Sequence, residues 1–312
     1  MAARLVIRRA TLKDYGGIMG IGSLYQGRYY LPVMYNKYLD RFNCYVGELD
    51  GEIVSFVGDR LVDADATRTI AAGRVKESYH GRGIMKIMLK SIDDSYKDVM
   101  SVKYETITAT NLMLQMDGGR VTRLYTQILE RECLEITGKV TNFKPYKIDS
   151  HQTKVQELKS EDLMEIFLSK DMCSKLFPGE RIIPNWHPYR LLPENIPLMM
   201  DGLKFWGTKC SDQSKYTTLT VTEDFNLGEQ LMYKLCVYGD DTHDMHQHAV
   251  KHIQSLNLLV KSGKYSSIMI EVSHPLDCQD AGTFLSVFEQ CGLKINSYFP
   301  VNRMVLFERK RK

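Results

Sequence analysis

No pair of cysteines in this chain is spaced as Cys-x-x-Cys. The seven, at 44, 133, 173, 210, 236, 278 and 291, are odd in number and scattered. That pattern argues against a disulfide framework or a thiolate zinc site and favours a reducing, cytoplasmic setting. No apolar run approaches the roughly 20 residues that a membrane helix needs. The opening Met1-Ala2-Ala3-Arg4-Leu5-Val6-Ile7-Arg8-Arg9 is interrupted by charge too early for a signal peptide. A net charge of only +3 supplies no field for nucleic acid, and the basic end Arg309-Lys310-Arg311-Lys312 is short enough to be a solvated terminus. No Gly-x-x-x-x-Gly-Lys-Ser/Thr occurs, which excludes a P-loop.

What remains is a soluble globular composition, 44% hydrophobic and 25% charged, over 312 residues, enough for two cores. Its most informative stretch is Arg74-Val75-Lys76-Glu77-Ser78-Tyr79-His80-Gly81-Arg82-Gly83-Ile84-Met85-Lys86. Residues 69–75 read as a strand, and Ile84, Met88, Ile92 and Tyr96 recur every four residues, so an amphipathic helix starts at the glycine turn. Gly81 and Gly83 let backbone approach an anion closely, and the helix start offers unpaired N–H groups with partial positive charge. Glycine pairs also open helices that bind nothing; here the preceding strand, Arg82 and Lys86 raise the phosphate reading. A dinucleotide fingerprint is excluded, since Lys86 stands where a third glycine would be needed.

Around this turn the order is that of a mixed sheet. Leu5 to Arg9 reads as a strand, and Thr11 with Asp14 as a capping pair. Residues 44–49 and 52–59 form a hairpin about Asp50-Gly51, whose residues tolerate the positive φ of a type I′ turn. Residues 104–110 supply a further strand. Val121, Leu124, Tyr125, Ile128 and Leu129 predict another helix. The junction falls near Pro145, giving domains 1–145 and 146–312.

In the second half, residues 151–177 predict helix. Pro178, Pro184, Pro188, Pro193 and Pro197 predict a stiff extended loop. Strands at 203–206, 216–221, 231–238, 267–272 and 303–308 and helices at 244–261 and 280–290 then repeat the order of the first half. The turn after Tyr238 is acidic, Gly239-Asp240-Asp241, and would repel a pyrophosphate. His243, His246, His248 and His252 include an i,i+4 pair, but no His-Glu-x-x-His, so they read as solvated helix residues and no metal is expected.

The phrase His80-Gly81-Arg82-Gly83-Ile84-Met85 resembles the acetyl-CoA loop of the GCN5-related N-acetyltransferases, Arg/Gln-x-x-Gly-x-Gly/Ala, with His80 and Met85 replacing the first and last members. The order of elements over residues 4–145 agrees. Residues 7–11, 47–54 and 74–79 and the long second half look similar, more narrowly, to the histidine N-acetyltransferase-like proteins of vertebrates. The resemblance implies an α/β mixed-sheet acetyltransferase fold followed by a second, degenerate copy. It implies acetyl-CoA held by Val75, Lys76, His80, Gly81, Arg82, Gly83, Ile84 and Met85, and transfer to a small-molecule amine. Free histidine comes first, a peptide N-terminus second, and a non-catalytic CoA-binding module is the rival.

Tyr125 then matches the family's helical Leu-Tyr pair and would protonate the departing thiolate, although Gly118 stands where the family has Asn. Arg28, Tyr29 and Tyr30, in a tyrosine-rich segment, would flank the acceptor, with aromatic packing as the alternative. The base is open between Glu105, Glu77 and a chained water. Sequence leaves the oligomeric state unassigned.

Overall fold

The computed structural model describes residues 4–22, 30–144, 154–209, 216–239, 242–276, 278, 281–296 and 300–311. Contacts divide the chain into two compact units, Met1–Ile107 with Glu308–Lys312, and Thr108–Phe307. The division therefore falls after Ile107 and not at the expected 145/146. Residues 126–139 form a strand bonded along its length to residues 267–275, so this stretch folds with the second unit.

The first unit contains strands β1 (Val6–Arg9), β2 (Asn43–Leu49), β3 (Glu52–Val62) and β4 (Thr67–Val75), with β5 (Tyr104–Thr110) beginning in it. Its helices are α1 (Tyr15–Met19), α2 (Leu31–Arg41) and α3 (Ile84–Ser95). β1 to β4 pair antiparallel in order, and β5 joins β4 in parallel. The hairpin forms where Asp50-Gly51 predicts it, with φ of 51° and 83°. Ile84, Met88 and Ile92 bury the apolar stripe of α3 against Val54, Val57 and Ile70. On the other side, Tyr35 is 1% exposed, packs against Phe56 at 6.3 Å and donates its hydroxyl to the Thr11 carbonyl at 2.7 Å. Asp14 caps the first turn, accepting from the Thr11 amide at 2.8 Å, and also pairs with Arg8 at 2.8 Å. The guanidinium of Arg8 holds the Asp14 carboxyl down at about 2.

The second unit begins with helices α4 (Asn111–Met116) and α5 (Arg120–Leu124) and strands β6 (Thr126–Lys139) and β7 (Gln156–Leu158). Helices α6 (Ser160–Leu168) and α7 (Lys170–Leu176) follow, with Ser169 capping the second of them. The proline passage is not one extended loop. It folds into short 3-10 turns, a two-residue bridge of β8 (Arg181–Ile182) with β9 (Tyr189–Arg190), and α8 (Ile196–Met200). Proline is compatible with the first turn of each, where no backbone donor is needed.

Strands β10 (Lys204–Lys209), β11 (Tyr216–Asn226) and β12 (Gln230–Tyr238) lead into α9 (Thr242–Ser262). Then come β13 (Ser267–Pro275), α10 (Ala281–Gln290), β14 (Lys294–Ile295) and β15 (Arg303–Lys310), which ends in the first unit. β7, β10, β11 and β12 pair antiparallel in that order, β12 and β13 are parallel, and β6 is antiparallel to β13. Leu235, Val237, Ile270 and Val272 on one face of this sheet pack with Val250, Ile253, Phe284 and Phe288 of α9 and α10. The repeated order read from the second half is therefore real.

Candidate active site

β4 is the strand that shapes the site. Its parallel pairing with β5 runs from Thr67 to Ile70 and stops, five residues before β4 ends. Its pairing with β3 shifts register between Phe56 and Gly58, where β4 carries one extra residue and Ala72 adopts a φ of 55°. This is a β-bulge, and it re-aims the end of the strand. Ala71-Ala72-Gly73 carried the signal, since a glycine inside a strand pattern commonly marks a bulge.

Beyond the bulge, the amide of Lys76 donates to the Val54 carbonyl at 2.8 Å. Backbone groups of successive strand residues face alternate edges, so those of Val75 face the edge that β5 has left. The Val75 carbonyl accepts there from Nε2 of His80 at 2.8 Å, which requires that nitrogen to carry the proton.

The turn that follows is held open. Gly81 and Gly83 have φ of 75° and 71°, and a Cβ built on either would meet no heavy atom within 4 Å. Gly83 is the residue before α3, so the first N–H groups of that helix have no acceptor within it. Arg82 lies over the Tyr79 ring at 4.8 Å, and Lys76 pairs with Glu52, which also accepts from the Tyr79 hydroxyl at 2.8 Å. Met85 does not crowd the turn. Its Cε lies 3.5 Å from where a Gly73 Cβ would be, and the side chain joins the core beneath α3. An exposed cradle with room at both glycines and an anion-attracting helix start fit a pyrophosphate, and a β4 end that no strand covers among the described residues fits the pantetheine arm joined to it.

Other expected residues are placed differently. Glu105 is fully buried, and its carboxylate is bound by Arg68 and, at 2.8 Å, by Arg309, both of which also reach Asp93. A carboxylate between two guanidiniums and shut from solvent is a structural counter-ion, so Glu105 is corrected from candidate base to core ion pair. Tyr125 is not helical. α5 ends at Leu124, Tyr125 is extended at φ −129° and ψ 151°, and Ile128 and Leu129 lie in β6. Alternation through residues 126–136 and bonding to β13 outweigh the helical spacing.

Tyr125 belongs to the second unit, whereas Val75 to Met85 belong to the first. Arg28 and Tyr29 lie outside the described residues. Tyr30 precedes α2, with its hydroxyl 3.1 Å from that of Tyr38. Glu77 is exposed on the 3-10 turn between β4 and α3.

Two histidines expected to be solvated are core residues instead. His248 shares hydrogen bonds with the hydroxyls of Thr208 and Thr220, and His252 with those of Tyr233 and Thr220. Burial holds His248 neutral down to about 3 and depresses His252 as well. The acids Asp240 and Asp241 lie outside the described residues.

Comparison with known proteins agrees with this architecture. The family described as histidine N-acetyltransferase, C-terminal, matches residues 150–273. The histidine N-acetyltransferase of Xenopus tropicalis is 22% identical over 259 residues, 79% of each chain. That of Oreochromis niloticus is 22% identical over 271 residues, 78% of this chain and 77% of the other. A GCN5-related N-acetyltransferase from Sphaerobacter thermophilus superposes with a TM-score of 0.59 at 8% identity, covering 98% of this chain and 95% of that one. A tandem protein of that kind from the clavulanic acid biosynthesis pathway gives 0.58 at 10%, covering 99% and 98%.

The class of fold is thereby defined: the chain has the fold of the GCN5-related N-acetyltransferases, with two such halves in tandem. In sequence it is similar to the histidine N-acetyltransferases. Among the described residues no helix is long and apolar enough to cross a membrane.

Proposed function

We propose that this protein transfers the acetyl group of acetyl-CoA to the α-amine of a free amino acid, with L-histidine as the first acceptor. The observation that carries the reading is the open Gly81–Gly83 turn at the start of α3 beside the end of β4, where pairing with β5 has stopped. Amides of Gly83, Ile84, Met85 and Lys86 would take the pyrophosphate, aided by Arg82. The backbone of Val75 would pair with the pantetheine arm, the His80 ring yielding the carbonyl it now occupies. The thioester brings its own activation, so no loaded nucleophile is needed.

The Val75 amide can donate to the oxyanion as the amine attacks, and a donor held in place before reaction costs no reorganisation. With Glu105 held by arginines, proton removal from the incoming ammonium falls to Glu77 or to water. The names of the relatives support histidine as acceptor, and a reducing cytoplasm suits the scattered free thiols.

Thiol release from acetyl-CoA against the twenty free amino acids, with a peptide bearing a free N-terminus alongside, tests the proposal. Release with histidine is expected. Release with the peptide alone would move the acceptor, and silence throughout with CoA still bound would leave only a binding module.

A further inference from the structure

Inside the second unit a line of polar side chains crosses the core between α9 and its sheet. His248 and His252 stand one turn apart on α9, with ring centres 6.3 Å apart, and both are fully buried. Thr208 of β10, Thr220 of β11 and Tyr233 of β12 bring hydroxyls to them. The hydrogen bonds form one continuous run: Thr208 with His248 Nε2 at 3.0 Å, His248 Nδ1 with Thr220 at 2.8 Å, Thr220 with His252 Nε2 at 2.8 Å, and His252 Nδ1 with Tyr233 at 3.0 Å.

Proton counting gives this run a direction. A neutral imidazole carries hydrogen on one nitrogen and a bare lone pair on the other, and a hydroxyl has one hydrogen to give. Thr220 therefore donates to one ring and accepts from the other, which forces both rings to carry hydrogen on the same kind of nitrogen. Thr208 decides which kind. It is 1% exposed, and among the described residues its hydroxyl bonds to His248 Nε2 alone. Were Nε2 to hold the hydrogen, that of Thr208 would be left without an acceptor in a dry core, which folded chains avoid. At the far end Tyr233 meets the hydroxyls of Thr222 and Ser255. Ser255 gives its own hydrogen to the Lys251 carbonyl at 3.1 Å, so it can accept the one that Tyr233 passes on.

We propose that Thr208, His248, Thr220, His252 and Tyr233 form a proton-ordered clamp, with hydrogen on Nδ1 of both rings, that fixes α9 to three strands and releases it when either ring takes up a proton. A proton arriving at His248 Nε2 faces the Thr208 hydroxyl and turns its hydrogen away from its acceptor. One arriving at His252 Nε2 turns the Thr220 hydrogen toward His248 Nδ1, which already bears one; relayed onward, the misfit again ends at Thr208. The charges around the pair act in the same sense. Lys251 of α9 and His248 both oppose a charge on His252, whereas Asp224 of β11 acts on Tyr233. The strands otherwise meet the rings with hydroxyls and with the edge of Trp206, 6.5 Å from His252.

Long-range proton–nitrogen NMR on the full chain, labelled in its histidine rings, tests the clamp. Near neutral pH both rings should show hydrogen on Nδ1 and a bare Nε2; hydrogen on Nε2 of either ring overturns the order. Thr208→Val removes the deciding hydroxyl at almost constant shape, and a second tautomer should then appear in both rings together, whereas Thr208→Ser should keep the single form. A valine variant with one tautomer, or rings that respond independently, overturns the roles of Thr208 and Thr220. If the valine variant fails to fold, the wild-type spectrum and its acid titration still decide. On acidification neither ring should gain a proton while α9 gives folded amide signals, and a protonated ring in a folded helix overturns the release.

Discussion

Two crossover units of the same topology, β4–α3–β5 and β12–α9–β13, end differently at the same place. In the first, parallel pairing stops at Ile70 and the backbone of Val75 faces an edge with no strand on it among the described residues. In the second, pairing continues to Cys236 opposite Ser273, and the next carbonyls, of Val237 and Ser273, are taken by the Arg131 guanidinium. The loops differ in the same sense. A Cβ at Gly83 would meet open space, but one at Gly239 would lie 2.3 Å from the Thr217 carbonyl oxygen. An open turn and its closed counterpart are told apart by which backbone groups the fold leaves free.

The sharpest way to break this comparison is Gly83→Val. A β-branched residue resists a φ of 71° and its side chain would fill the cradle. Acetyl-CoA affinity, measured by calorimetry, should fall roughly a hundredfold, on the order of 3 kcal/mol, with circular dichroism unchanged. Unaltered affinity would move the site elsewhere.

Gly239→Ala should act on stability and not on the cofactor. The contact with Thr217 and a φ of 86° predict a loss of about 2–4 kcal/mol in urea unfolding. A fully stable variant would mean that the second turn is as open as the first.

Acid should find the second unit before the first. His248 and His252 have folded pKa values pushed below the ordinary 6.5 by burial, so the unfolded chain takes up protons first as pH falls. Their stabilising effect is complete above about 6.5 and drains as pH drops toward about 3, on the order of 2–4 kcal/mol. Urea midpoints between pH 7 and 4 should show this slope, and His248→Gln should flatten it.

The smallest effect belongs to the first unit. Asp14, depressed to about 2 by Arg8, contributes stability above about 4 that fades as pH falls through its folded value. Asp14→Asn should cost roughly 1 kcal/mol, because Arg8 is partly exposed and water screens the pair. A loss several times larger would mean the pair organises more of the first unit than its contacts suggest.

How much could be read in advance depended on separation along the chain. The Asp50-Gly51 hairpin, the Ile84-Met88-Ile92 stripe and the glycine turn are local patterns, and each stands where spacing placed it. Tyr125 was misplaced because Val121, Leu124 and Ile128 satisfy a helical period while the alternation after Thr126 satisfies a strand, and only pairing with β13 chooses between them. Glu105 looked available because its partners Arg68 and Arg309 are remote in sequence. The histidines of α9 looked solvated because the threonines that receive them lie on β10 and β11.

The sequence by itself determined the fold class, the repeated order of the two halves and the open glycine turn, since short-range periodicity and glycine stereochemistry carry those. Only the tertiary structure decided which charges pair, as with Glu105 between Arg68 and Arg309, and which turn is left open. Strand register joins residues more than a hundred positions apart, and no local pattern encodes whether a backbone carbonyl will find a strand, an arginine or nothing.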